Sequence, residues 1–172
     1  MAEALVVVDM LRDFVQEGGK LYCGEAASSV VPAVKAEVNA ARAEGIPVIY
    51  VCDSHRPDDP EFSMFPPHCV TGTPGAQVID ELAPAPGERI INKRRFSGFF
   101  ATDLDLTLRE LGVESIRLVG VCTNICVLYT ALDARQRNFR VTVPRQAVAS
   151  FDPGAQEWAL SQMREVLGVE VV

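Results

Sequence analysis

The segment Leu118-Val119-Gly120-Val121-Cys122-Thr123-Asn124-Ile125-Cys126-Val127 decides the fold of this 172-residue chain. The apolar run at residues 116–121 predicts a buried strand, a short polar turn follows it, and a helical pattern then begins with Cys126 in its first turn. A helix N-terminus carries unpaired N–H groups and the positive end of the helix dipole, which both stabilise a thiolate. We therefore choose Cys126 as the candidate nucleophile, whereas Cys122, at the end of the strand, lies where backbone amides can serve an oxyanion.

Apolar, β-rich runs alternate with helical patterns along the rest of the chain. Strands are predicted at residues 4–8, 46–52, 89–92, 116–121, 139–143 and 169–172. Helices are predicted at about residues 28–44, 73–82, 102–111, 124–137 and 152–167. Because the strands are continuously apolar rather than alternating, the pattern predicts an α/β fold, with a parallel sheet covered by helices on both faces.

The overall composition is that of one globular domain spanning residues 1–172, with 48% hydrophobic and 23% charged residues. A formal net charge of −7 argues against nucleic-acid or acidic-membrane binding. No apolar run approaches the roughly 20 residues of a membrane helix, and the acidic start Met1-Ala2-Glu3-Ala4 predicts no signal peptide. The five cysteines are irregularly spaced, so we expect reduced thiols in a cytoplasmic protein.

Chemically active side chains follow four of the predicted strands. They are Asp9, Asp53 with His55, Lys93, and Cys122 with Cys126. In doubly wound sheets, ligands bind beyond the carboxyl ends of the strands, near the point where the strand order reverses. We therefore expect one edge of the sheet to collect an acid, a base, a cation, a thiol and metal-type ligands.

Each of these signals has a structural alternative when it stands alone. A carboxylate such as Asp9 at the mouth of a buried strand is partly desolvated, which raises its pKa and suits proton transfer, but Asp is also common in turns. Lys93 beside a thiol would lower the thiol pKa, yet it opens a basic run that is typical of a solvated cluster. Free cysteines are usually small buried hydrophobes, and Cys23, Cys52 and Cys69 are interpreted in that way.

The loop after the second strand carries a different set of side chains. They are Asp53, His55, Glu61 and His68, and these two histidines are the only ones in the chain. Carboxylate oxygens and imidazole nitrogens suit zinc, manganese or iron(II), and a ligand set without thiolate is typical of a site with open positions for water or substrate. Cys69 is a rival ligand, and chance co-occurrence in a polar loop is the alternative to a metal site.

Three phenylalanines lie in loops rather than in segments of regular apolar periodicity. Phe14, Phe65 and Phe96 sit beside the polar residues described above. Loop aromatics next to polar chemistry indicate a flat pocket with apolar walls. Packing against the edge of the sheet is an equally good interpretation for each of them taken singly.

These motifs, in this order, resemble the cysteine hydrolases of the isochorismatase-like superfamily over nearly the whole chain, and within it the bacterial nicotinamidases. The matching segments are Val7-Val8-Asp9-Met10 through Asp13-Phe14, Asp53-Ser54-His55, Phe65-Pro66-Pro67-His68, Gly72-Thr73-Pro74-Gly75, Lys93 to Phe99, Thr102-Asp103-Leu104, Gly120 to Val127, and Ala131-Leu132-Asp133-Ala134. The resemblance implies a doubly wound sheet of six parallel strands in the order 3-2-1-4-5-6, and homo-oligomers such as dimers or tetramers.

The resemblance also implies an activity and a set of site residues. The activity is hydrolysis of nicotinamide to nicotinate and ammonia, a step of NAD salvage, through a thioester on Cys126. The implied residues are a catalytic triad of Asp9, Lys93 and Cys126, metal ligands Asp53, His55, His68 and Glu61, oxyanion amides of Cys122 and Cys126, and ring contacts from Phe14, Phe65 and Phe96. A cis peptide bond is implied between Val121 and Cys122, and the one divalent ion, zinc before manganese or iron, would hold the pyridine nitrogen.

Three other functions remain open at this stage. The nearest is another amidohydrolase of the same superfamily that acts on a carbamoyl or ureido compound. The second is a metal-dependent hydrolase whose nucleophile is metal-bound water rather than a cysteine. The third is a binding or regulatory module without catalysis, since a fold by itself never establishes a function.

Overall fold

The computed structural model describes residues 2–172 and contains a parallel sheet of seven strands. The strands are β1 (Glu3–Val8), β2 (Val48–Asp53), β3 (Arg89–Lys93), β4 (Ser115–Val121), β5 (Arg140–Val143), β6 (Val148–Ala149) and β7 (Glu170–Val171). Their order is β3-β2-β1-β4-β5-β7, with β6 beside β4. Since β7 is the strand predicted at residues 169–172, the predicted fold class and strand order are confirmed.

The short strand β6 was not predicted from the sequence. β5 pairs with the first part of β4, and β6 then pairs with Gly120 and Val121 at the carboxyl end of β4. A strand of two residues is too short to show a hydrophobic period, so the sequence pattern carried no signal for it. Its effect is to extend the sheet alongside the end of β4, where Cys122 follows.

Within residues 2–172, six α-helices surround the sheet. They are α1 (Arg12–Val15), α2 (Glu25–Ser29), α3 (Val31–Glu44), α4 (Leu104–Glu110), α5 (Leu128–Gln136) and α6 (Pro153–Glu165). The helix predicted at 28–44 is confirmed as α3 over residues 31–44, but its start is wrong, because residues 28 and 29 belong to the separate helix α2. The hydroxyl of Ser28 donates a hydrogen bond to the carbonyl of Val15 at 2.8 Å.

The helix predicted at residues 73–82 is also wrong. The chain forms two short 3-10 turns there, Pro74–Ala76 and Asp80–Leu82. Between them, Val78 makes an antiparallel bridge with Leu11, just after β1. Pairing with a distant segment uses the backbone groups that a continuous helix would have needed for its own hydrogen bonds.

Alternate residues of the central strand β1 face two separate hydrophobic layers. Val6 and Val8 pack in one layer with residues of α4, α5 and α6. Leu5 and Val7 pack in the other layer with residues of α1 and α3. This three-layer arrangement buries residues 4–8 of β1 and brings its carboxyl end to the point where the strand order reverses, between β1 and β4. No helix within residues 2–172 has the length and apolar character needed to cross a bilayer.

Candidate active site

Three side chains from three different elements converge at the reversal point of the sheet. Asp9 directly follows β1, Lys93 is the last residue of β3, and Cys126 lies in the turn after β4. The Nζ atom of Lys93 is 2.9 Å from Oδ2 of Asp9 and 3.5 Å from Sγ of Cys126. All three residues are buried. The structure thus brings together the acid, the cation and the thiol that the sequence placed at separate strand ends.

The electrostatics of this group favour proton exchange between Asp9 and Cys126. Burial raises the pKa of Asp9 to about 6, and Asp53 adds to this rise while Lys93 opposes it. Burial also raises the pKa of the Cys126 thiol, although Lys93 again acts in the opposite direction. For Lys93, burial would lower the pKa, but the carboxylates of Asp53 and Asp9 outweigh it and raise the pKa well above its usual value. Cys126 is therefore a thiol at rest, with a carboxylate beside it to accept its proton.

The backbone around Cys122 and Cys126 forms the other side of this group. The peptide bond between Val121 and Cys122 is cis, as expected. Residues Thr123–Val127 form a π-helical turn, and α5 begins only after it, so the regular α-helix predicted from about residue 124 is wrong in its first turn. The amides of Ile125 and Val127 both donate to the carbonyl of Cys122, at 3.0 and 3.2 Å. This wraps the chain tightly around Cys126.

Gly120 makes the close approach of β4 to β1 possible at this point. Its φ angle is +116°, and a Cβ atom there would lie 2.0 Å from the carbonyl oxygen of Val8. Only glycine avoids that collision and adopts this backbone conformation without strain. As a result, Val8, the residue just before Asp9, stays in contact with β4, the strand that leads to Cys122.

Asp53, His55 and His68 form a second buried group next to the first. One potential ligand atom from each lies within 4.8 Å of the others. The Nε2 atoms of His55 and His68 are 3.4 and 3.7 Å from Oδ2 of Asp53. The opposite ring nitrogens are already engaged, because Nδ1 of His55 contacts Oδ2 of Asp59 at 3.0 Å and Nδ1 of His68 contacts the carbonyl of Pro66 at 2.8 Å.

This arrangement fits a divalent metal ion. Hydrogen bonds that occupy Nδ1 leave Nε2 as the ligating atom, which is how histidine ligands are usually oriented. Nε2 of His55 is buried and has no hydrogen-bond partner, so it needs a partner that the described protein atoms do not supply. The two-nitrogen, one-carboxylate set suits zinc or a similar ion.

Glu61 lies at the border of this group rather than inside it. Its Oε1 atom is 3.9 Å from Nε2 of His55, while Oε2 is 3.7 Å from a guanidinium nitrogen of Arg95. The structure therefore places Glu61 near the three possible ligands but not within their 4.8 Å group. Cys69, the rival ligand, is buried outside that group, with its sulfur 3.9 Å from the carbonyl of Gly75.

The loop that carries His68 is fixed by Asp13, a residue that sequence reasoning did not assign to the site. Oδ2 of Asp13 accepts a hydrogen bond from the amide of Cys69 at 2.8 Å, and Oδ1 accepts one from the amide of Lys20 at 3.0 Å. Gly75 packs directly against this carboxylate, because a Cβ atom there would lie 2.1 Å from Oδ2. Asp13 thereby holds the residue next to His68 against α1.

A single pocket opens onto both groups. Phe14, Phe65 and Phe96 line it, as expected, together with Asp9, Asp53, Glu61, His68 and Cys126. The ring centroids of Phe65 and Phe96 are 6.3 Å apart, and that of Phe14 is 5.4 Å from His68. Sequence reasoning missed further lining residues, which are Leu21, Tyr22, Cys23, Val121, Ile125 and Phe151. Four of them, Leu21, Tyr22, Cys23 and Phe151, lie outside helices and strands, whereas Val121 ends β4 and Ile125 lies in the π-helical turn after it.

The fold and this site together define an α/β amidohydrolase. The family model of the Isochorismatase domain matches residues 3–172, and the chain belongs to this family.

Three solved structures show which proteins this chain is similar to. A nicotinamidase/pyrazinamidase from Bacillus subtilis is 38% identical, with a TM-score of 0.95 and 100% of each chain covered. A pyrazinamidase from Pyrococcus horikoshii, solved in complex with zinc, is 35% identical, with a TM-score of 0.93 and coverage of 100% of this chain and 99% of the other. An N-carbamoylsarcosine amidase from Thermoplasma acidophilum is 39% identical, with a TM-score of 0.90 and coverage of 99% and 95%. The similarity thus extends to amidases with at least two substrate classes.

Proposed function

We propose that this protein is a nicotinamidase, which hydrolyses nicotinamide to nicotinate and ammonia. The observation that carries the proposal is one pocket lined by members of both groups, Asp9 and Cys126 of the first and Asp53 and His68 of the second. Nicotinamide has two features to bind, its carboxamide and its ring nitrogen. The pocket offers a reactive thiol for the carboxamide and metal-type ligands for the ring nitrogen. The aromatic walls suit a planar ring.

In the proposed mechanism, Asp9 accepts the proton of Cys126, and the sulfur attacks the carboxamide carbon. The backbone amides of Cys122 and Cys126 hold the tetrahedral oxyanion, an effect worth about 3–4 kcal/mol per donor. Asp9 then protonates the departing ammonia, which leaves a thioester on Cys126. Water activated by Asp9 releases the acid, and Lys93 keeps Asp9 and Cys126 in place by contacts with both.

Asp53, His55 and His68 would hold one divalent ion, with Glu61 as a fourth ligand directly or from the border of the site. The ion, when bound, supplies a Lewis acid that orients the pyridine nitrogen of the substrate. Zinc is the first candidate, and manganese and iron(II) are the others. Asp59 and the carbonyl of Pro66 support the two histidines through their Nδ1 atoms.

The test is ammonia release from nicotinamide by the purified protein after its metal content has been measured. We expect release by the unmodified protein and none above background by Cys126→Ala. Cys52→Ala is the matched control, because Cys52 is another buried thiol that does not line the pocket. Ammonia release by Cys126→Ala at the rate of the unmodified protein would exclude the thioester mechanism.

A second candidate is an amidohydrolase that acts on a carbamoyl or ureido compound. The 39% identity to an N-carbamoylsarcosine amidase is the observation in its favour. A side-by-side ammonia assay with nicotinamide and N-carbamoyl amino acids decides between them. A clear preference for an N-carbamoyl amino acid would replace the nicotinamidase proposal.

The biological setting is proposed together with the activity. We propose a role in NAD salvage, in the cytoplasm, as a homo-oligomer of two or four subunits. All five cysteines are free thiols, which supports a reducing compartment. Light scattering coupled to gel filtration measures the subunit number.

A further inference from the structure

Two cysteines outside the proposed triad form a buried pair in the wall of the pocket. The Sγ atoms of Cys23 and Cys122 lie 3.2 Å apart and share a hydrogen bond. Both residues line the pocket, and they are 6% and 7% exposed. The mechanism above uses only the backbone amide of Cys122 and neither of these two thiols. The pair is therefore chemistry that the proposed activity leaves unexplained.

We propose that Cys23 and Cys122 form an oxidation site, at which a peroxide that enters the pocket converts the two thiols into a disulfide. The bonded distance between two sulfurs is about 2.05 Å, so the pair has to close by only about 1 Å. The residues come from distant parts of the chain, since Cys23 precedes α2 and Cys122 follows β4. The new bond would join the segment before α2 covalently to the turn after β4.

The oxidation balances with one molecule of hydrogen peroxide. One thiol sulfur of the pair attacks a peroxide oxygen, which gives a sulfenic acid and releases one water. The second sulfur then attacks the sulfenic sulfur, so that the S–S bond forms and the hydroxyl leaves as a second water with the remaining thiol proton. Two electrons pass from the sulfurs to the peroxide. A small dithiol reverses the reaction by exchange.

The remaining cysteines have different surroundings. Cys126 has the ammonium group of Lys93 at 3.5 Å. Cys52 and Cys69 are buried and do not line the pocket. Within residues 2–172, the contact between Cys23 and Cys122 is the only hydrogen bond between two sulfurs. The contact between the two sulfurs, inside a pocket that Cys126 also lines, thus singles out this pair.

The disulfide is expected to reduce the activity. It would attach Cys122, whose amide is proposed to hold the oxyanion, to the segment that carries Leu21 and Tyr22 of the pocket wall. That segment is itself bound to α1, because the amide of Cys23 donates to the carbonyl of Phe14 at 2.9 Å. A shift of either sulfur therefore moves an oxyanion donor or an aromatic wall. This effect on activity rests on the proposed function, whereas formation of the disulfide does not.

The first experiment detects the bond itself. The protein is treated with hydrogen peroxide, free thiols are blocked with N-ethylmaleimide, and a tryptic digest without reductant is analysed by mass spectrometry. Trypsin releases Cys23 in residues 21–35 and Cys122 with Cys126 in residues 118–135. In Cys126→Ser, any link between these two peptides has to involve Cys122.

We expect the linked peptides in the unmodified protein, in Cys126→Ser and in the control Cys52→Ser, and we expect none in Cys23→Ser. Circular dichroism checks that each variant is folded. The proposal is overturned if the two peptides stay unlinked while peroxide oxidises the other thiols, or if fragment ions place the link on Cys126.

The second experiment measures ammonia release before and after peroxide, and again after dithiothreitol, with each variant compared with its own untreated rate. We expect a several-fold loss in the unmodified protein that dithiothreitol restores, and no such reversible loss in Cys23→Ser. An equal reversible loss in Cys23→Ser would refute the inhibitory role. If the link forms but the untreated protein releases no ammonia from nicotinamide, the proposed function fails and the oxidation site stands.

Discussion

Cys122 and Cys126 are four residues apart and equally buried, but their neighbours give them different chemistry. Sγ of Cys126 is 3.5 Å from Nζ of Lys93, and the same Nζ atom is 2.9 Å from Oδ2 of Asp9. Sγ of Cys122 points instead to another thiol, that of Cys23. A nucleophile needs a proton acceptor and a nearby positive charge. Those requirements are met at Cys126, which supports its proposed role.

The role of Asp9 as the proton acceptor predicts a large effect of Asp9→Asn. The new side-chain amide has the shape of the carboxylate. Its oxygen can still accept the hydrogen bond that the backbone amide of Asp53 donates to Oδ1 of Asp9 at 2.8 Å. It cannot take a proton from Cys126. We expect kcat to fall by about 10²–10⁴-fold, the usual contribution of general acid–base catalysis, with a smaller change in KM. Retention of the original kcat by a folded Asp9→Asn protein would contradict the assignment.

The proposed division between metal ligand and nucleophile predicts a different effect for His55→Ala. We expect lower zinc content and a higher KM, because the ion orients the substrate in the proposed mechanism. Acylation of Cys126 at saturating substrate should persist. Glu61→Gln is the comparison, since its Oε1 lies 3.9 Å from Nε2 of His55, and it should lose less metal. Loss of acylation in His55→Ala with unchanged binding would contradict an orienting role.

Iodoacetamide separates this mechanism from one in which metal-bound water is the nucleophile. Alkylation of Cys126 is expected to abolish ammonia release, because the sulfur can no longer attack the carboxamide carbon. Mass spectrometry follows the alkylation of each of the five cysteines over time, and the loss of ammonia release should follow the alkylation of Cys126. Full activity of the unmodified protein after alkylation of Cys126, verified by mass spectrometry, would favour the metal-bound water.

The residues that sequence reasoning found and those it missed differ in a physical respect. Asp9, Lys93 and Cys126 each follow an apolar run, and the end of a buried strand is visible in the sequence. Asp13 accepts a hydrogen bond from the amide of Cys69, which lies far along the chain. Asp59 contacts Nδ1 of His55, the ring nitrogen opposite the possible ligand atom. Such contacts exist only after folding, so neither residue type nor spacing indicated them.

At the scale of elements, one buried carboxylate, that of Asp13, joins the loop after β2 to α1. Asp13→Ala would leave the amides of Cys69 and Lys20 without their hydrogen bonds at 2.8 and 3.0 Å. The contact at Cys69 is buried, and an unsatisfied buried amide costs about 1–3 kcal/mol, so we expect a lower melting temperature. Metal affinity should also fall, because His68 is next to Cys69. Both are measured by thermal unfolding and zinc titration.

Asp80→Ala is the control for that experiment. Asp80 also forms an ion pair with α1, through Arg12 at 2.8 Å, but its side chain is 83% exposed. Exposed ion pairs contribute about 0–1 kcal/mol, so its stability should change little. Equal effects of the two substitutions would show that Asp13 has no special role in holding the loop.

Element boundaries were predictable where local signals agreed with the tertiary structure. The helix predicted at residues 152–167 begins as expected, because Oδ1 of Asp152 accepts a hydrogen bond from the amide of Ala155 at 2.8 Å at the start of α6. The segment 73–82 has an equally good start signal in Thr73-Pro74. There, the bridge between Val78 and Leu11 extends the chain instead. Long-range pairing overrides a local preference, and a single sequence does not reveal it.

At the scale of the whole molecule, the sheet register aligns residues that are far apart in the chain. Val8 is level with Val51 of β2, and Asp53 is level with Lys93 of β3. The residues at the carboxyl ends of β1, β2 and β3 therefore lie at the same edge of the sheet. Parallel strand ends were enough to predict that these residues meet, whereas their distances depend on the register and on the close approach at Gly120.

The group of Asp53, His55 and His68 therefore exists only in the folded molecule. A zinc ion bound there is expected to stabilise the fold. Asp53 ends β2, and His68 reaches it only through a loop anchored on α1, so the unfolded chain lacks the site. At a zinc concentration of about 100 times Kd, the folded state gains about 2.7 kcal/mol, and each 1 kcal/mol raises Tm by about 2–4 °C for a domain of this size. We expect the chelator-treated protein to gain about 5–11 °C when zinc is restored. His68→Ala should show little of this gain. An equal gain in that variant would show that the zinc binds elsewhere, where the free cysteines are the remaining strong ligands.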